Sequence, residues 1–266
     1  MNRSAIRLDG VSVCYRLARQ RIPSLKEYAI HWMRGALKYE PLWALREVSF
    51  EVRPGEAVGV VGRNGAGKST LLKVISRVLE PTHGRCVTEG SVSPILELGS
   101  GFDRELTGFE NVFLNALLLG RRRHEIIERL EAIVDFAEVG EFIHSPLRNF
   151  SSGMMARLGF AIATAWRPDV LILDEVFAVG DVGFAKKCEG RMAELRASGT
   201  TVLLVSHAPE FVARNCTRAI WIDRGEVQMD GGTTEVLAAY SAAALPAAPV
   251  PEGSAGAVAP GPFVPA

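Results

Sequence analysis

The sequence predicts an α/β protein built on a parallel sheet, and three stretches carry that prediction. Ala57 to Val61 is a short apolar run that passes through a glycine-rich turn, Gly62 to Thr70, into a helix-like run from Leu71 to Leu79. Val170 to Leu173 and Val202 to Val205 contain no polar residue, and turn signals bound each of them. A strand that is polar on neither face has both faces covered, the habit of parallel sheets with helices packed on them.

The remaining elements follow in order. Ile6 to Tyr15 alternates as a strand does, and Val48 to Val52 is a second strand. An insertion of about residues 16–42 separates them. Within it Leu25, Tyr28, Ala29, Trp32, Met33 and Ala36 share a helical face, Ser24 and Glu27 fit a capping box, and Arg21, Lys26, His31, Arg34 and Lys38 lie beside that face. Arg53-Pro54-Gly55-Glu56 has Pro and Gly in type II order. Leu106 to Ala165 is mostly helical, broken at Gly120 and Ser145-Pro146. Arg218 to Ile222 and Glu226 to Met229 flank Asp223-Arg224-Gly225 as a hairpin, and Thr233 to Ala244 forms a last helix. We read residues 1–244 as one domain with a helical part at about 97–166, and 245–266 as a disordered Pro/Ala-rich tail.

Composition narrows the function classes. Of 266 residues 48% are apolar, enough for a sizeable core. Acidic and basic residues balance at 30 each, so no overall field favours nucleic acid. No apolar run is long enough for a bilayer span, and Ile6 to Tyr15 lacks the apolar block of a signal peptide. Cys14, Cys86, Cys188 and Cys216 are scattered without metal or disulfide spacing, so the chain reads as cytoplasmic.

Chemistry concentrates in four segments. Gly62-Arg63-Asn64-Gly65-Ala66-Gly67-Lys68-Ser69-Thr70 is a phosphate-loop pattern in strand, turn, helix context. Glycines let successive N–H groups point at one phosphate, and the helix N-terminus adds partial positive charge. Lys68 is expected on the β and γ phosphates, and Ser69 on Mg²⁺. Val170 to Leu173 ends in Asp174-Glu175; an acid there holds Mg²⁺, and its neighbour orients and deprotonates the attacking water. Val202 to Val205 ends in Ser206-His207, and a strand-end imidazole is either a structural residue or a donor to the γ phosphate, a choice that the order of motifs decides. Phe150-Ser151-Ser152-Gly153-Met154 opens an apolar helix, a second helix start suited to an anion.

This motif order, with Val179-Gly180-Asp181 between the carboxylates and Ser206-His207, resembles that of ATP-binding-cassette ATPases from about Ile6 to Tyr240. The resemblance implies a phosphate-loop ATPase fold: a parallel core sheet, an N-terminal antiparallel β-subdomain and a helical subdomain carrying the signature. It makes Phe150 to Met154 the signature sequence, with Ser151, Ser152 and Gly153 on the nucleotide and with Ser152 and Met154 departing from the commonest Gly and Gln. It makes Asp181 the D-loop aspartate, His207 the switch histidine, and Tyr15 the aromatic stacked on adenine. No glutamine lies between Gly84 and Asn111, and Glu97 stands at about the glutamine-loop position, a third metal-facing residue beside Ser69 and Asp174.

Leu96 to Phe102, Glu105 to Gly108, Asp174 to Phe184 and Lys186-Lys187-Cys188 are similar to ATPase subunits of bacterial O-antigen, capsule and teichoic acid exporters. The resemblance implies ATP and Mg²⁺ bound between two head-to-tail copies, with Lys68, Glu175 and His207 catalytic. It also implies a separate transmembrane permease, a place on the cytoplasmic face of the inner membrane, and no nucleic acid. The chain stops short of the carbohydrate-binding domain some of these subunits carry, so we expect no glycan recognition by it. The rival readings are export of a drug or small metabolite, and a soluble cassette ATPase of repair or translation. One cassette, with under about a hundred residues between phosphate loop and signature, disfavours the soluble reading.

Overall fold

The computed structural model describes residues 4–18, 39–95, 101–174, 182–206 and 209–244. The chain opens with β1 (Ile6–Ala18), β2 (Tyr39–Val52) and β3 (Ala57–Val61), followed by α1 (Lys68–Ile75). Next come β4 (His83–Thr88) and β5 (Val92–Ile95), then α2 (Gly108–Leu118) and α3 (Arg123–Ala137). Two 3₁₀ turns, Gly140–His144 and Leu147–Asn149, lead to α4 (Ser152–Thr164). The chain continues through β6 (Val170–Asp174), α5 (Val182–Ala197), β7 (Thr201–Val205) and α6 (Pro209–Asn215). It closes with β8 (Arg218–Asp223), β9 (Glu226–Gly232) and α7 (Thr233–Ala244).

Six strands form the core sheet in the order β5-β6-β7-β3-β8-β9, parallel except for the β8–β9 hairpin. Its two faces explain the apolar runs. Val58, Val60, Val170, Ile172, Leu203 and Val205 pack toward α1 and the antiparallel sheet β2-β1-β4. Their neighbours Ala57, Val61, Leu171, Leu173, Val202 and Leu204 pack toward α5, α6 and α7. Each such buried aliphatic side chain contributes about 1.5–3 kcal/mol. Gly59 marks where α6 comes closest, because a Cβ there would overlap the Val212 side chain. A third cluster, from Val112 to Ile162, holds the helical lobe together.

The described strands extend beyond the sequence reading. β1 continues to Ala18 and β2 begins at Tyr39, paired to Leu17↔Glu40 and Ala18↔Tyr39, so both reach into the insertion. Register shifts between Leu8 and Cys14 interrupt the alternation that would have revealed this. β4 and β5 add two strands that the sequence does not signal. β4 is polar and largely exposed, and β5 contains Pro94, which the edge of the core sheet tolerates. The insertion helix and the tail lie outside the described residues.

Candidate active site

Parallel pairing gathers the predicted residues at one edge of the core sheet. β3, β6 and β7 end together: Val60 pairs with Val205, and Asp174 with Val205 across the next ladder. Gly62, Asp174 and Ser206 therefore lie at the carboxyl ends of neighbouring strands, the usual place for ligands in open α/β sheets.

The Gly62–Thr70 turn is shaped by contacts that only glycine permits. Gly67, the N-cap of α1, has φ 106°, and a Cβ there would come within 2.9 Å of Leu45 Cδ2 and closer still to the Ala44 carbonyl oxygen. A Cβ on Gly62 would overlap the Ile222 carbonyl. The tip of the β8–β9 hairpin buttresses the turn, with Gly225 N–H donating to Ala66 O at 2.9 Å and Arg46 N–H to Gly225 O at 2.8 Å. Its sequence reads as an ordinary turn, so this support had no local signal.

Lys68 is 7% exposed, and its Nζ donates to the carbonyl oxygens of Gly62 (2.8 Å) and Arg63 (3.0 Å). The ammonium is thus folded onto its own loop. α1 has neither a side-chain cap nor a carboxylate in its first turn, so no acid of the helix itself competes for its first N–H groups. By contrast α2, α3, α6 and α7 each carry a glutamate in the first turn.

A cleft of about 500 Å³ lies over this turn. Tyr15, Asn64, Gly65, Lys68, Ser69, Thr70 and Asp174 line it together. Tyr15 Oη lies 3.4 Å from Thr70 Oγ1. Leu42, Trp43 and Ala44 complete the wall, residues that sequence reasoning missed because they fall at the end of the expected insertion and in the unassigned stretch before Val48. The clustering of Lys68, Ser69 and Asp174 gives a cation and two hard oxygen donors in one wet cleft, a donor set that fits a triphosphate with Mg²⁺. A larger groove of about 640 Å³, lined by Ser12, Trp43, Glu47, His83 and Glu226 among others, has none of the phosphate-turn residues.

Ser151 to Gly153 lie elsewhere. Ser151 is the N-cap of α4 and its hydroxyl accepts from Met154 N–H at 3.1 Å. Phe150, buried beneath, holds that end to the helical lobe. No residue of α4 is among those lining the cleft. Glu97, Glu175, Asp181 and His207 lie outside the described residues.

The strand carrying Asp174 is pinned at its start. Asp169 accepts from the Ser91 backbone N–H (2.7 Å) and hydroxyl (2.8 Å), which hold its carboxyl below the usual carboxylate range. Arg218 joins β8 to Glu56 and Asp230 at 3.1 and 2.7 Å, and those partners raise its already high pKa. Burial pushes the Cys188 and Cys216 thiols up to about 12, the state of inert packing residues.

Comparison with known proteins agrees with this arrangement. The family model described as ABC transporter matches residues 45–178. The chain is 43% identical over 240 residues to the O-antigen export system ATP-binding protein RfbB of Klebsiella pneumoniae, covering 90% of this chain and 98% of that protein. It is 41% identical to the teichoic acids export ATP-binding protein TagH of Listeria innocua, over 79% of this chain and 62% of that one. Among solved structures it resembles a dimeric, post-hydrolysis ATP-binding cassette bound to ADP and Pi, with a TM-score of 0.69, 22% identity, and coverage of 86% of this chain and 98% of that one. The phosphate turn, the paired sheets and these relatives converge: this chain belongs to the ABC transporter family.

Proposed function

We propose that the chain is the ATP-hydrolysing subunit of an exporter that moves a lipid-linked polysaccharide, of O-antigen or teichoic acid type, across the inner membrane. The carrying observation is the cleft that unites Lys68, Ser69, Thr70 and Asp174, in a chain similar along nearly its whole length to an O-antigen export ATP-binding protein.

In this reading two copies pack head to tail. Among the described residues none of α4 lines the cleft, which supports Ser151 and Gly153 acting on the partner's nucleotide. The solved cassette bound to ADP and Pi is itself dimeric, which supports the same arrangement. Lys68 exchanges two loop carbonyls for the β and γ phosphate oxygens, an exchange that costs little because the ammonium is hydrogen-bonded in both states. The α1 N–H groups hold the phosphates, and Tyr15 stacks on the base. Ser69 and Asp174, with Glu97, would hold Mg²⁺, which neutralises charge on the β and γ oxygens when bound. Glu175 takes a proton from the attacking water. His207 and Asp181 order the γ phosphate and the dimer seam. The rate comes from positioning and charge, as phosphoryl transfer requires.

Among the described residues no helix is long and apolar enough to cross a membrane. In this reading the chain acts on a separate transmembrane permease from the cytoplasmic face. α2 leaves Leu117 and Leu118 more than half exposed at its C-terminal end, and we place the permease contact there.

Complementation tests the reading. In a strain lacking its own O-antigen export ATPase and supplied with this chain and its cognate permease, surface polymer should return with the wild-type chain and not with Lys68→Ala. Export by the Lys68→Ala chain, or restored drug efflux without surface polymer, would contradict it.

A further inference from the structure

Ser151 and Asp174 stand at the ends of two elements that meet away from the cleft. α5 rests on β6, because Phe184 and Cys188 share a buried cluster with Leu171 and Leu173. The same side of α5 grips the helical lobe. Lys187 Nζ donates to Glu138 Oε1 at 2.8 Å and to the Asp135 and Phe136 carbonyl oxygens at 3.3 and 3.2 Å, so it caps the C-terminus of α3. Glu138, at φ 55°, is the left-handed residue that ends α3 and turns its carboxylate to two cations. The second is Arg157 of α4, at 3.0 Å, whose guanidinium also lies 5.0 Å from the Phe184 ring centroid.

α4 is held at its far end as well, where Ser93 Oγ donates to Ala163 O at 2.9 Å. From there to Ser151 the helix runs roughly 18 Å at 1.5 Å per residue. With one end fixed, the grip at Arg157 sets where the Ser151 end points.

We propose that the Glu138–Arg157–Phe184–Lys187 junction couples the two ATP sites of the dimer. It ties the strand and helix that flank a protomer's own carboxylate loop to the helix that caps its partner's nucleotide. The inference rests on the head-to-tail reading above. Glu138 and Lys187 are 48% and 38% exposed, so their ion pair adds little to stability. Its role is positional: occupancy felt at Asp174 is passed to Ser151 across the lobe boundary.

The test measures the ATP dependence of hydrolysis by the full chain, with Mg-ATP affinity at dilutions where it is monomeric. Wild type should show a Hill coefficient of about 2, the number of coupled sites. Lys187→Met, which keeps the side-chain length over Phe136, should bring it to about 1, with monomer affinity within about twofold and a melting temperature lowered only by the lost α3 cap. Lys187→Arg should restore it. Glu138→Gln, which leaves the Lys187 carbonyl bonds in place, should lower it too and serves if Lys187→Met fails to fold. A non-cooperative wild type, or full cooperativity in Lys187→Met or Glu138→Gln, would overturn the junction's role. A Glu175→Gln chain that stays monomeric in Mg-ATP would instead remove the head-to-tail reading itself, and the junction's role with it.

Discussion

Two helices of this chain, α1 and α4, begin at small-residue turns and carry no acid in the first turn, yet their ends are built differently. Gly67 caps α1 from a left-handed conformation with no side chain, leaving the first N–H groups to be satisfied by something outside the helix. Ser151 caps α4 from an extended conformation and already accepts from Met154 N–H. The first end is an open cradle of N–H groups whose shape glycine fixes. The second is self-satisfied, and its hydroxyl proton remains free to donate while its oxygen stays on the helix. In the proposed function the first end holds phosphate within the protomer, and the second engages the partner's phosphate without unmaking its own cap.

The largest expected effects fall on the cradle. Gly67→Ala places a methyl against Ala44 and Leu45 at a φ that alanine resists, and Lys68→Ala removes the buried ammonium. Each should lower ATPase activity by roughly 10²-fold or more, with nucleotide binding lost in parallel by calorimetry. An intermediate effect separates the two helix ends. Ser151→Ala should cost about 1 kcal/mol of stability as a lost cap. It should also slow hydrolysis roughly tenfold or more, as a lost bond to a charged group. Ser151→Asp keeps the cap and the melting temperature but sets a carboxylate against the partner's phosphate, so hydrolysis should fall further while monomer binding is unchanged. Equal losses of stability in both variants would erase the distinction.

Smaller effects lie far from both ends. Cys188 and Cys216, pushed up to about 12, should resist a thiol reagent in the native chain at pH 8. Their folded pKa lies above the unfolded value, so the stability they contribute is full below about pH 9 and declines as pH rises toward 12. Denaturation midpoints from pH 8 to 10.5 should show the decline. Removing Pro246 to Ala266 should leave ATPase activity unchanged.

The same contrast explains what the sequence discloses. The phosphate turn is legible because its parts are contiguous and a single backbone shape demands those glycines. The buried strands are legible because covering both faces leaves no polar residue in them. β4 and β5 are not, since one is polar and the other contains proline at an edge. Gly225 and Ala44, which shape the cradle, are far from it in sequence and fit no pattern there. The Glu138–Lys187 contact spans 49 positions, and nothing local in either helix announces the other.

The most direct measurement is the mass in solution of the Glu175→Gln chain with and without Mg-ATP. Head-to-tail closure over two nucleotides predicts a shift from the 28.8 kDa of one chain to twice that value, reversed when Ser151 is replaced by Asp. A species that stays at the single-chain mass at saturating Mg-ATP, with the permease present, would contradict the account.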